Sequence, residues 1–188
     1  MNSFSFIKQY LFKPRTVGAV LPSSKYLAKK MIEGIDFSTA ECIAEYGPGT
    51  GVFTDKIIKE KKPETVLIIL EKDTAFFDDL KIKYVGLKNV YVINDSAENI
   101  GKYLTQMKLD KIDYIVSGLP FASLPQDVSI NILTEAKRFL SNNGVFITFQ
   151  YTLFKRDFIE KYFKIEKITR ELRNIPPAYV FKCTNSDT

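Results

Sequence analysis

From residue 41 onward, short continuous apolar runs alternate with stretches whose apolar residues recur at helical spacing. The runs predict strands over Cys42–Tyr46, Thr65–Leu70, Val90–Ile93, Tyr114–Val116 and Val145–Gln150. The stretches between them predict helices over Val52–Lys61, Thr74–Tyr84, Ala97–Met107 and Gln126–Leu140. The run Val66-Leu67-Ile68-Ile69-Leu70 has no polar position, as in a strand covered on both faces. This alternation predicts a doubly wound, mostly parallel, three-layer α/β fold. The end of the chain breaks the pattern. After a helix over Lys155–Tyr162, the segments Lys164–Arg170 and Tyr179–Cys183 read as strands joined by Arg173-Asn174-Ile175-Pro176-Pro177-Ala178. With no helix between them, they are expected to pair antiparallel as a hairpin.

Upstream, Phe4, Ile7, Tyr10 and Leu11 fall at helical spacing with Lys8 and Lys13 among them, and Pro14 ends that helix. Pro22-Ser23-Ser24 then opens a second helix, Lys25–Glu33, with a serine available as N-cap. The expected organisation is one domain over residues 1–188. It has a basic amphipathic helical segment over 1–33 and an α/β core over 41–184.

Charge sharpens this division. The net charge is +5, and up to Glu33 the six bases Lys8, Lys13, Arg15, Lys25, Lys29 and Lys30 face that single acid. The whole excess therefore sits in the first segment, which implies an anionic surface as partner, either phospholipid or nucleic acid. The first helix either packs on the domain or lies in a headgroup zone with its lysines above it. Among 188 residues there is no histidine, which excludes Ser-His-Asp and Cys-His mechanisms and His-ligated metal. The two cysteines, Cys42 and Cys183, read as reduced core thiols, so no metal is expected. No apolar run is long enough to cross a bilayer and Met1–Lys13 lacks the marks of a signal peptide, so the expectation is a cytoplasmic protein.

The candidate chemistry lies in four loops that follow four strands. The first is Glu45-Tyr46-Gly47-Pro48-Gly49-Thr50-Gly51, in which Gly47, Gly49 and Gly51 let the backbone bend and approach a ligand before a helix start. Its spacing is not the dinucleotide G-x-G-x-x-G, and Glu45 would repel a pyrophosphate. A cationic ligand suits it better, such as the amino acid end of S-adenosylmethionine. The second loop starts at Glu71 and Lys72, 20 residues past the turn, where an acid can accept both ribose hydroxyls of an adenosine. In the third, Asn94-Asp95-Ser96-Ala97, Asp95 can accept from an adenine amino group, cap the following helix, or do both. The fourth, Ser117-Gly118-Leu119-Pro120-Phe121, reads as a rigid lip of backbone carbonyls able to hold an amine, with Phe121 either shielding a cation or packing in the core.

With these residues in hand, the chain resembles a class I S-adenosylmethionine-dependent methyltransferase along nearly its whole length. More narrowly it is similar to bacterial phospholipid N-methyltransferases, through Lys13-Pro14-Arg15-Thr16-Val17-Gly18-Ala19-Val20-Leu21-Pro22-Ser23-Ser24, Ser117-Gly118-Leu119-Pro120 and Arg173–Ala178. That group is in turn similar to ribosomal RNA adenine dimethyltransferases. Those carry an Asn-Leu-Pro-Tyr/Phe loop where this chain has Ser117–Phe121, and usually a C-terminal helical domain for which this sequence is too short.

The resemblance implies a seven-stranded sheet with a reversed terminal hairpin, and a headgroup amine as methyl acceptor. Cofactor contacts would come from Glu45, Gly47, Pro48, Gly49, Gly51, Glu71, Lys72, Asp95, Ser96, Ala97 and Ser117. Residues Ser117–Phe121 would position the reacting amine. Substrate contacts would come from Arg15, Ser23, Ser24, Tyr26, Arg173 and Asn174, with Arg15 or Arg173 on a lipid phosphate. Water, Tyr26, Tyr151 or a carboxylate remain open as proton acceptor. A monomer at the inner face of the cell membrane is expected, with RNA as the rival partner.

Overall fold

The computed structural model describes residues 24–185. The expected first helix, Arg15 and Ser23 lie outside them. Strands β1 Cys42–Tyr46, β2 Val66–Leu70, β3 Val90–Ile93, β4 Ile112–Ser117, β5 Leu140–Gln150, β6 Phe163–Glu171 and β7 Ala178–Asn185 form one seven-stranded sheet. Their order is β3-β2-β1-β4-β5-β7-β6. The first five run parallel, and β7 pairs antiparallel with both β5 and β6, as the missing helix at the end of the chain predicted.

Helices α1 Lys25–Ile32, α2 Val52–Glu60 and α3 Thr74–Lys83 cover one face, burying Leu27, Met31, Phe53, Ile57 and Leu80 against Ile43, Leu67 and Ile69. A 3-10 turn, Ala97–Asn99, leads into α4 Ile100–Met107, which covers the other face with α5 Gln126–Phe139 and α6 Arg156–Glu160. There Ile100, Leu104, Ile132 and Leu133 pack on Ala44, Ile68, Ile115 and Phe146. Two packed faces explain why β1 and β2 carry apolar residues at nearly every position.

Several boundaries differ from expectation. The single helix expected over 97–107 is a 3-10 turn followed by an α-helix, with Asn99 at the junction. The helix expected to end at Leu140 ends at Phe139, and β5 begins earlier than Val145. Leu140 pairs with Ile112 and Val145 with Tyr114, so the polar Ser141–Gly144 stretch bulges out between two paired segments. The last helix spans only Arg156–Glu160 because β6 already starts at Phe163.

The sheet order reverses between β1 and β4, and there the first and fourth loops meet. The Gly118 amide donates to the Tyr46 carbonyl at 2.8 Å. A Cβ on Gly118 would sit 2.5 Å from the Gly47 carbonyl oxygen, so only glycine admits this approach. At the opposite end of the same strands, Asp113 accepts from the Glu41 and Cys42 amides at 2.9 and 3.0 Å and fixes the start of β1 against β4.

Candidate active site

The glycine turn takes its shape from left-handed backbone: φ is +64° at Gly47, +58° at Gly49 and +81° at Gly51. A side chain at Gly47 would collide with Leu119, and one at Gly51 with the Tyr84 hydroxyl at 2.5 Å. A Cβ on Gly49 would meet nothing within 4 Å, so the turn is open above that residue. Gly51 is also the N-cap of α2 and supplies no capping side chain. From behind, Tyr84 donates to Asp55 at 2.8 Å and approaches the Gly51 carbonyl at 3.2 Å, while Lys83 pairs with Asp55 at 2.7 Å. No sequence signal singled out Tyr84, which closes α3.

Glu71 is the hinge between the first two loops. It is 7% exposed, its Oε2 accepts the Gly49 amide at 3.0 Å, and its Oε1 accepts the Asp73 amide at 2.9 Å. Burial pushes its carboxyl above the usual range, against the pull of those two amides. Each oxygen keeps one acceptor site, so a pair of vicinal hydroxyls can still be bound. Lys72 is exposed beside it. Asn94 links the second and third loops by donating to the Glu71 carbonyl at 2.9 Å.

Asp95 is held by three donors. Tyr103 reaches one oxygen at 2.6 Å, and the Asn99 amide group and Ser96 N–H reach the other at 2.8 and 2.7 Å. These bonds, the Tyr103 hydroxyl first, keep the carboxyl below its ordinary range. The helix cap falls to Ser96, whose hydroxyl accepts from Glu98, and not to Asp95. The Ala97 methyl packs in the core. Tyr103 lies on α4 beyond a 3-10 turn, so spacing alone could not place it against Asp95.

Glu45 requires a correction. Strand alternation turns its side chain under the turn, beside Thr54 of α2, where it is fully enclosed and neither oxygen has a hydrogen-bond partner. Burial raises its carboxyl to about 8; the Thr54 hydroxyl opposes this, and the Glu71 and Asp55 charges add to it. At neutral pH it is therefore mostly protonated, and its enclosure keeps it from direct contact with a ligand. A cation brought over the turn would favour its ionised form and so draw that value down.

The fourth loop also departs from expectation. Phe121 has no exposed surface and packs on Phe146 with ring centroids 6.4 Å apart, so it is a core residue and not a shield at the lip. Two carbonyls of the lip are already engaged: Leu119 by the Gln150 amide group at 3.2 Å, and Pro120 by the Ser123 and Leu124 amides at 2.8 and 3.1 Å. Ser117 is buried, and its hydroxyl accepts the Leu119 amide at 3.3 Å. Gln150, at the tip of β5, was not foreseen as a support of this loop.

The candidate substrate residues come together across 150 residues of sequence, since the Ser24 amide donates to Asn174 at 2.9 Å. The Ser24 hydroxyl caps α1. Arg173 lies 4.2 Å from the Tyr26 ring centroid and forks onto Glu171 at 2.9 and 3.0 Å, holding that carboxyl down to about 2. Its charge is thus already matched, contrary to a primary role on phosphate. Among the described residues no group of His, Cys, Asp or Glu side chains could hold a metal ion.

An adenosine sulfonium compound fits this set. It would find open backbone at Gly49, spare acceptor sites on Glu71, an ionised Asp95 and, at Glu45, a buried carboxyl whose charged form a nearby cation would favour. The chain is 28% identical over 96% of its length to an ornithine lipid N-methyltransferase of Singulisphaera acidiphila, and the match covers 94% of that relative. It is 33% identical over 64% of its length to the ribosomal RNA small subunit methyltransferase A of Borreliella afzelii. This second match spans only 42% of that relative's length. In fold it superposes on Aeropyrum pernix fibrillarin, solved with S-adenosylmethionine, with a TM-score of 0.67 at 13% identity. That superposition covers 85% of this chain and 76% of fibrillarin. No family model matches the chain.

Proposed function

We propose that this chain, which is a class I S-adenosylmethionine-dependent methyltransferase, methylates the amine of a membrane-lipid headgroup, phosphatidylethanolamine or a related aminolipid. The observation that carries the acceptor assignment is the end-to-end similarity to a lipid N-methyltransferase, against matches to ribosomal RNA enzymes that span under half of their length. When bound, the cofactor supplies a methyl group already activated by its sulfonium charge. Glu71 and Asp95 would hold its adenosine and the glycine turn its amino acid end. The chain's remaining task is to hold a neutral nitrogen in line with that methyl.

Apolar surroundings lower an amine's pKa and so favour the neutral form. The fourth loop, stiffened by Gln150 on Leu119, gives the lip a fixed shape against which the nitrogen can be positioned. Tyr26 stands by the Arg173–Glu171 pair at the same end of the sheet, where its hydroxyl would relay the departing proton to solvent water. A second reading, RNA adenine N6-methylation, draws on the ribosomal RNA relatives. A third is cofactor binding without catalysis.

Phosphatidylethanolamine vesicles and RNA incubated together with methyl-labelled cofactor separate these readings. Label in the lipid is expected. Label in RNA alone refutes the lipid assignment, and bound cofactor without transfer to either favours a module that does not catalyse.

A further inference from the structure

Most large apolar side chains on the surface gather at the two ends of the sheet. Ile82 lies in the last turn of α3 and Val85 and Leu87 follow it, near the start of β3. Five others lie at the opposite end: Tyr26 (39% exposed), Leu153 (44%), Phe154 (76%), Leu172 (64%) and Ile175 (70%). The strand pairing fixes this placement. Thr148 of β5 runs parallel beside Ser117, so the chain after Gln150 emerges at the end where the candidate active site opens. Gln150 pairs with Tyr179 and Glu171 with Ala178, so the β6–β7 loop returns to that same end.

The rings at this end carry cations. Lys155 lies 5.8 Å from the Phe154 ring and 4.8 Å from that of Phe158, Lys25 lies 5.6 Å from Tyr26, and Arg170 lies 5.4 Å from Tyr179. Of the acids flanking these two loops, Glu160 and Glu171 are matched by Arg156 and Arg173, leaving Asp157. No carboxylate of the described residues forms an ion pair with Lys25, Lys155 or Arg170. Apolar tips with cations beside their rings match the layering of a bilayer surface, where acyl chains lie below a level of phosphates.

We infer that the loop after β5 and the β6–β7 loop form a rim that seats the open end of the sheet on an anionic bilayer, with Phe154 and Leu172 entering the interface. This rests on the lipid-acceptor reading and adds to it a membrane contact made by two loops of the α/β core, beside Lys25 and Tyr26 of the basic N-terminal segment. It would bring headgroups to the mouth of the site, so that the acceptor need not leave the membrane.

The chain contains no tryptophan, so single replacements report position directly. Phe154→Trp, Leu172→Trp and, as a control from the other end, Ile82→Trp would be made in the full chain. Each would be mixed with vesicles of phosphatidylglycerol and phosphatidylcholine carrying brominated acyl chains. Neither lipid bears a primary amine, so the readout does not depend on the acceptor.

Blue-shifted, quenched emission at positions 154 and 172 is expected, with position 82 unchanged. No vesicle association, or quenching at 82 without quenching at 154 and 172, overturns the rim. The double variant Phe154→Ser/Leu172→Ser is expected to lose at least tenfold in transfer to vesicle phosphatidylethanolamine while keeping transfer to the same lipid dispersed in detergent. An equal loss in both forms contradicts a seating role. Absence of lipid methylation by the unmodified chain in either form would instead sink the acceptor reading and leave the fluorescence result to judge the rim.

Discussion

Replacing Glu71 by glutamine isolates the atom pair that joins the first two loops. The carboxylate accepts from the Gly49 and Asp73 amides at 3.0 and 2.9 Å and is nearly enclosed. Glutamine has one acceptor oxygen, so its amide group must face one of the two N–H donors. The lost charge-assisted bond costs about 1.5–3 kcal/mol. Relief from holding a charge that burial disfavours returns part of this, leaving a net loss of ~1–2 kcal/mol. For a chain of this size that lowers the melting temperature by about 2–8 °C. Cofactor binding should suffer more, because the new donor also meets a ribose hydroxyl where an acceptor stood. Losing one such bond to a charged group weakens binding by roughly tenfold to a hundredfold. Calorimetric titration with S-adenosylhomocysteine, run beside a melting curve, measures both. An affinity within twofold of the parent, with the melting point lowered, would show that Glu71 only holds the turn and would refute the assigned contact.

Four further outcomes follow from other parts of the site. The Glu45 carboxyl binds its proton more tightly in the native state, at about 8, than in the unfolded chain, so its stabilising contribution is complete below about pH 4.5 and lost as pH rises through 8. Glu45→Gln should therefore flatten the decline in unliganded stability between pH 5 and 9, and denaturation curves that keep the parent slope contradict this. Gly118→Ala should destabilise by about 1–3 kcal/mol through contact with the Gly47 carbonyl. Gly49→Ala should cost about 1–2 kcal/mol of backbone strain yet weaken cofactor binding more than its stability loss, since its methyl enters open space over the turn. Equal affinity in the Gly49 variant would mean that the ligand does not lie there. Tyr103→Phe removes the strongest bond to Asp95, so the Asp95 carboxyl, followed by carbon-detected titration, should move up while cofactor affinity falls severalfold; an unmoved titration disproves the coupling.

The framework of the fold was legible because its signals are local. Uninterrupted apolar runs marked the buried strands, and the absence of a helix after residue 163 marked the antiparallel hairpin. Glu71 could be placed by counting from the glycine turn. What stayed hidden depends on distance through space. The collision that demands glycine at 118 arises only once β1 and β4 become neighbours. Phe121 follows a Gly-Leu-Pro turn whose course decides whether the ring faces the cleft or the core, and composition cannot choose between them. Glu45 was read as a charge facing the ligand, but alternation along β1 carries it beneath α2, where burial favours its neutral form. Ser141-Asn142-Asn143-Gly144 has the composition of a loop, and only the pairing of Leu140 with Ile112 makes it a bulge within β5. Tyr103, Tyr84 and Gln150 support the site from three different elements and carry no motif.

The most direct trial is a crystal structure of the full chain grown with S-adenosylmethionine. Density for the adenosine between Glu71 and Asp95, with the methionine end over Gly49 on the side of Glu45 and the methyl turned toward the Ser117–Phe121 loop, is the predicted result. Cofactor density at any other place on the chain, with these four loops unchanged and empty, would contradict it.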